Sequence, residues 1–167
     1  MGGAGRQNSK TYFNYLDTLN EYRKMDRLSQ YLSEESRIKK MQWPASKIDT
    51  KLKTLSLQIE ILNQDDDADL YNAAVDDYNS AISAFNFFIA YRNNQFQPAK
   101  SNEEVNNIFQ NIKRLILSAN LRLEKISRST ATLQLNTGDI QKKINDLKSN
   151  LQVQESFYKN YTASTKN

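Results

Sequence analysis

Apolar side chains recur every three or four residues along most of this chain, with polar ones filling the positions between. The first series is Tyr12, Tyr15, Leu16, Leu19, Tyr22, Met25, Leu28, Tyr31, Leu32, Ile38 and Met41. Such spacing returns side chains to one face of a 3.6-residue helix and predicts a helix over about 10–42. Ser33 to Ser36 is its weakest stretch, and the small, polar residues 1–9 are expected to be disordered. Trp43-Pro44 ends the series, because proline disfavours helix in the residue before it yet fits the first turn of a new one.

The next stripe is Ile48, Leu52, Leu55, Ile59 and Leu62, and it resumes after an Asp-rich segment as Tyr71, Val75, Tyr78, Ile82, Phe85 and Ile89. The two stripes are not in strict heptad phase, so a continuous helix needs a stutter. The expectation is one helix over about 45–92, with a kink or loop at residues 63–69 as its competitor. Asn93 to Pro98 predicts a turn in which asparagine takes the left-handed backbone angles. Ser101-Asn102-Glu103-Glu104 then reads as a capping box, in which Ser101 accepts from the Glu104 amide and the Glu104 side chain reaches back.

A third stripe, Val105, Phe109, Ile112, Ile116, Ala119, Leu123, Ile126, Thr130 and Leu133, predicts a helix over about 102–135. Asn136 to Asp139 has turn chemistry, and a last helix is expected over about 139–162, with 163–167 frayed. Thr137, Ile140, Ile144, Leu147, Leu151, Gln154, Tyr158 and Tyr161 keep the phase of the third stripe, so one uninterrupted helix competes with two. Folding the second helix back on the third around Phe96 sets Ile89 near Val105, Phe85 near Phe109, Ile82 near Ile112 and Tyr78 near Ile116. That hairpin spans roughly 60–70 Å. The first and last helices are expected to cover its other faces. The fold expected is all-α: an elongated up-and-down bundle of three to four long antiparallel helices with coiled-coil-like packing, forming a single domain over 10–162.

Composition agrees with helices that bury one stripe and wet the rest: 38% of the 167 residues are hydrophobic, with 4 glycines and 2 prolines. The chain has no cysteine and no histidine. This removes disulfides, thiol chemistry, Cys/His zinc sites and histidine-based proton transfer from what it can do. No apolar run reaches the roughly 18 residues of a membrane span. Net charge is −5 over 63–99, against +4 before and +5 after that segment. The basic residues never run beyond two in a row and are mixed with acids, the usual look of a helix surface, so nucleic acid is not an expected partner.

Three features carry the candidate chemistry. Asp65-x-Asp67-x-Asp69, with Asp76 twelfth in the series, has calcium-loop spacing, although Leu70 stands where such loops need glycine and aspartate stands where they prefer glutamate. Asp65, Asp67, Asp69 and Asp76 are therefore the metal candidates, beside the simpler reading of negative charge at a helix start. An aromatic followed by asparagine recurs as Tyr71-Asn72, Tyr78-Asn79 and Phe85-Asn86. The aromatics supply core, and the asparagines either bond across helices and fix register or line a ligand or peptide groove. Phe87 and Phe96 lack an internal explanation and are candidates for a partner or membrane-surface contact. The interaction candidates are thus Asn72, Asn79, Asn86, Phe87 and Phe96.

Residues 71–79, YNAAVDDYN, follow the spacing YNxxVxxYN and in this resemble a conserved helix of LemA-family proteins. That resemblance implies a bacterial, helical protein of the cell envelope without established enzymatic activity, and it carries no catalytic residue over. The function expected is that of a non-enzymatic bundle, without a cofactor, serving as a protein-interaction or scaffolding module. Its partner would be another protein or a second copy. The alternative is a ligand- or peptide-binding bundle using the Tyr/Phe-Asn face at 71–88.

Overall fold

The computed structural model describes the backbone of residues 2–127 and 136–165, and the side chains of residues 18, 19, 21–127 and 136–165. Among the described residues the chain is all-α, with five helices where three to four were expected: α1 (Gly2–Lys39), α2 (Ala45–Leu62), α3 (Asp67–Asn93), α4 (Asn102–Ser127) and α5 (Thr137–Thr165). They fall into two compact units, the first ending at Asn63 and the second beginning at Gln64.

In the first unit α1 and α2 pack as a helical hairpin. The turn follows from Pro44, which stands at the N-cap of α2 with extended backbone (φ −54°, ψ 144°). Its carbonyl accepts from the amides of Lys47 and Ile48 and so starts the helix. Among the described residues Ile38, Leu55 and Ile61 are the buried ones of this unit. Helix α1 begins at Gly2, not near residue 10. Once a helix exists, each added residue gains one hydrogen bond without a new nucleation cost, which favours extension over a disordered start.

The continuous helix expected over 45–92 is broken. Asp66 has extended backbone (φ −89°, ψ 117°), and its side chain accepts from the Asp69 amide at 3.0 Å. Aspartate offers the backbone a local partner that competes with helix continuation, so the Asp run ends one helix and caps the next. No stutter is needed, because the break resets the phase. Asp66→Ala removes this cap and is expected to cost about 1 kcal/mol of stability, read as a lower denaturation midpoint in circular dichroism with an unchanged slope.

The second unit is a three-helix bundle in which α3 packs on α4 and α5 packs on both. The α3–α4 hairpin is shorter than expected, about 40 Å, because α3 starts only at Asp67. The capping box forms as expected: the Glu104 amide donates to Ser101 Oγ at 3.1 Å and the Ser101 amide to Glu104 Oε2 at 3.0 Å. Asn136 Oδ1 accepts from the Asp139 amide at 3.3 Å, so a new helix starts there and the single long helix is excluded. Helix α5 then runs to Thr165, past the expected fraying point. The ends expected at 128–135 and 166–167 lie outside the described residues.

The core of α4 is the one read from sequence: Val105, Phe109, Ile112, Ile116, Ala119 and Leu123 are buried. That of α3 is rotated from the expected stripe. Leu70, Ala74, Ala81, Phe85, Phe88 and Tyr91 are its buried apolar residues, while Tyr71, Val75, Tyr78, Ile82 and Ile89 are only partly buried. Helix α3 faces two neighbours, so its most buried line points between them and the broader apolar stripe forms its shoulders. The ring that meets Phe109 is accordingly Phe88, at 4.8 Å between centroids.

Candidate functional site

The interaction candidates separate into two groups. Asn72, Asn79 and Asn86 are exposed, so their amides face solvent instead of bonding across to a neighbouring helix. The aromatics beside them are spent on packing: Phe85 is buried, and Tyr71 and Tyr78 are packed against the core. Phe87 is 55% exposed, with the Lys100 ammonium 5.3 Å from its ring. No helix of the second unit covers it.

Phe96 belongs to the core and not to a contact surface. It is buried, with ring centroids 4.2 Å from Tyr161, 5.2 Å from Tyr91 and 5.8 Å from Tyr158. The left-handed angles of the turn fall on Gln95 (φ 57°) and Phe96 (φ 58°), whereas Asn94 keeps φ −88°. Left-handed backbone costs a residue with a side chain roughly 1–2 kcal/mol. Burial of a whole aromatic ring among others offsets it. Around this plug, the Tyr158 hydroxyl donates to Asn102 Oδ1 at 2.8 Å, and Tyr91 Oη accepts from the Lys100 amide at 3.1 Å. Burial first, and then the neighbouring Tyr91 and Tyr161, hold the Tyr158 hydroxyl above its ordinary ionisation range.

The candidate calcium ligands are dispersed. Asp65 Oδ1 lies 3.9 Å from Lys125 Nζ, Asp76 is exposed, and Asp67 is buried with its Oδ2 lacking a hydrogen-bond partner. Among the described residues no group of three or more carboxylates is placed to hold a metal ion. A loop could wrap an ion, but residues 67–76 are helical, which sets Asp76 roughly 13 Å along the axis from Asp67.

A polar cluster inside the second unit has no counterpart in the sequence reading. Arg122 is buried on α4, between the core positions Ala119 and Leu123. Its Nε donates to Asp77 Oδ2 at 3.2 Å and to Ser118 Oγ at 3.3 Å, and its Nη1 to Gln64 Oε1. The Ser118 hydroxyl donates to Asp77 Oδ2 at 2.5 Å. Lys125 Nζ reaches the Gln64 carbonyl. Part of the negative charge of 63–99 is thus matched by α4. The arrangement clamps Gln64 and α3 to α4 through the Arg122 guanidinium, which only donates, and the Asp77 carboxylate, which only accepts. The signal for it lay in Ser118 and Arg122, four residues apart and each one residue before a member of the apolar line of α4, with Asp77 between Ala74 and Ala81 on the buried line of α3.

Helix α1 carries the other unassigned surface. Tyr22, Met25 and Leu32 are 68%, 64% and 51% exposed. An open trough lies beside them, lined by Met25, Leu28, Ser29, Leu32, Ser33 and Ser36. Comparison with protein-family models, with curated proteins and with solved structures gives no match to this chain.

Proposed function

We propose that this chain is a non-enzymatic helical module that acts by binding another protein chain, as an interaction or scaffolding element. The observation that carries this reading is the α1 face, where Tyr22, Met25 and Leu32 stand more than half exposed and the last two line an open trough. Exposed apolar side chains that line up, unlike scattered ones, mark surfaces that partners cover. The second unit supports the same reading from the opposite side. Most of its aromatics, Phe87 and Phe157 excepted, are packed in or against the core, and its Ser118, Asp77 and Arg122 side chains bond one another.

The YNxxVxxYN resemblance of residues 71–79 to the LemA family supports a bacterial cell envelope as the setting. No described helix is long and apolar enough to cross a membrane.

A photo-crosslinking residue placed at Met25, with Gln152 as an exposed control on α5, tests the interaction reading in the source cells. A protein adduct at position 25 that is absent at position 152 is the expected result. No adduct at position 25, or equal adducts at both, overturns it.

A further inference from the structure

The trough on α1 has the geometry of a helix-packing site. In coiled coils each knob enters a hole made by residues i, i+3, i+4 and i+7 of the facing helix. Met25, Leu28, Ser29 and Leu32 make one such hole, and Ser29, Leu32, Ser33 and Ser36 make the next. The residues lining the trough are the members of these two consecutive holes. The exposed line beside them, Tyr22, Met25, Ser29, Leu32 and Ser36, alternates steps of three and four, the seam of a coiled coil.

We infer that the occupant of this trough is α1 of a second copy of the chain, packed antiparallel, with Leu32 of each copy entering the Met25/Leu28/Ser29/Leu32 hole of the other. The inference rests on the reading of α1 as an interaction face, and it names the partner. Size decides the orientation. With the two-fold axis near residues 30–31, Leu32 faces Ser29 and Met25 faces Ser36 across the seam, so these two large side chains each meet a small one, and Tyr22 meets the stem of Lys39 at the seam's ends. A parallel pair in register sets Ser29 on Ser29 and Leu32 on Leu32, which leaves voids at the serines. Charge agrees: the antiparallel register brings Asp26 alongside Arg37 and Glu21 alongside Lys39 of the second copy, and it opposes the helix dipoles. The hairpin itself also calls for a partner, since two helices bury little, and two such hairpins together make a four-helix bundle.

Sedimentation of the full chain over a concentration series tests the inference. The expected result is a doubling of the 19.3 kDa mass on concentration. It is lost in Leu32→Lys and in Met25→Glu, both of which alter exposed positions and are expected to keep the native helix signal. The chain has no cysteine, so Ser29→Cys and Leu32→Cys each introduce a single thiol. Mixed together they are expected to form a disulfide-linked pair at least five-fold more readily than either alone. A single-chain mass at every concentration overturns the inference, as does a dimer that both variants retain. Preferential coupling of Leu32→Cys to itself overturns the antiparallel register. If the Met25 crosslink joins a different protein and the chain stays monomeric, the interaction reading stands and the second copy is excluded.

Discussion

Replacing Phe88 by alanine is expected to lower the stability of the second unit by about 4 kcal/mol, the largest loss available from one side chain here. Phe88 is fully buried at the centre of an aromatic cluster. Its ring lies 4.8 Å from Phe109, 6.2 Å from Tyr158 and 6.4 Å from both Tyr91 and Phe96. Those neighbours come from α3, from α4, from α5 and from the α3–α4 turn. Truncation therefore leaves a cavity that no single element can close by shifting, and cavity cost grows with how little the walls relax. Denaturant unfolding followed by circular dichroism and tyrosine fluorescence reads the loss. The adjacent exposed ring is the internal control: Phe87→Ala is expected to stay within about 0.5 kcal/mol of the parent. Equal losses at 87 and 88 would mean that the face of α3 buried in the core has been misplaced.

The second large effect is expected at Arg122, and its sign depends on what happens to Asp77. Arg122→Met leaves the Asp77 carboxylate partly buried with Ser118 as its remaining partner in the cluster, at a cost of about 3 kcal/mol. Asp77→Leu alone takes the carboxylate from the buried guanidinium, which keeps its bonds to Gln64 and Ser118, and is expected to be destabilising too. The double variant removes both charges and fills the space with apolar atoms, so its stability is expected to return to within about 1 kcal/mol of the parent. Chemical denaturation of the four proteins gives the coupling energy directly. Losses that simply add would show that Asp77 and Arg122 act separately and that the cluster is not a unit.

What could be read from the chain depended on how many neighbours each helix has. Helix α4 shows one narrow apolar line, Val105 through Leu123, and the structure buries that line as read. Helix α3 is apolar over a wider arc, and spacing alone does not say which line within the arc is central. The difference of one residue moves Phe88 from the edge to the middle. The break at Asp66 was legible as a competitor but lost to an argument from continuity, because the strength of a cap depends on backbone angles that composition does not give. The Arg122 cluster was harder still. Arginine and aspartate are read as surface residues unless their partners are known, and Asp77 and Arg122 stand 45 residues apart. Phe96 misled for a related reason: its apolar ring beside a turn looked stranded, and the aromatics that receive it lie mostly on α5.

The turn between α3 and α4 has a consequence for how this protein can be altered. Surface turns are ordinarily the places where a chain accepts added residues, a reporter peptide or new termini. Between Asn94 and Lys100 the turn is instead tied inward at both ends, by Phe96 in the aromatic core and by the Lys100 amide on the Tyr91 hydroxyl. Lengthening it pulls the plug from the cluster that Phe88 organises. The more permissive graft site is therefore the hairpin turn of the first unit, where Gln42, Pro44 and Ala45 are exposed and the loop's aromatic, Trp43, is partly exposed with Lys47 Nζ 4.1 Å from its ring. A label or fused domain belongs there, and the same asymmetry predicts where natural length variation can accumulate.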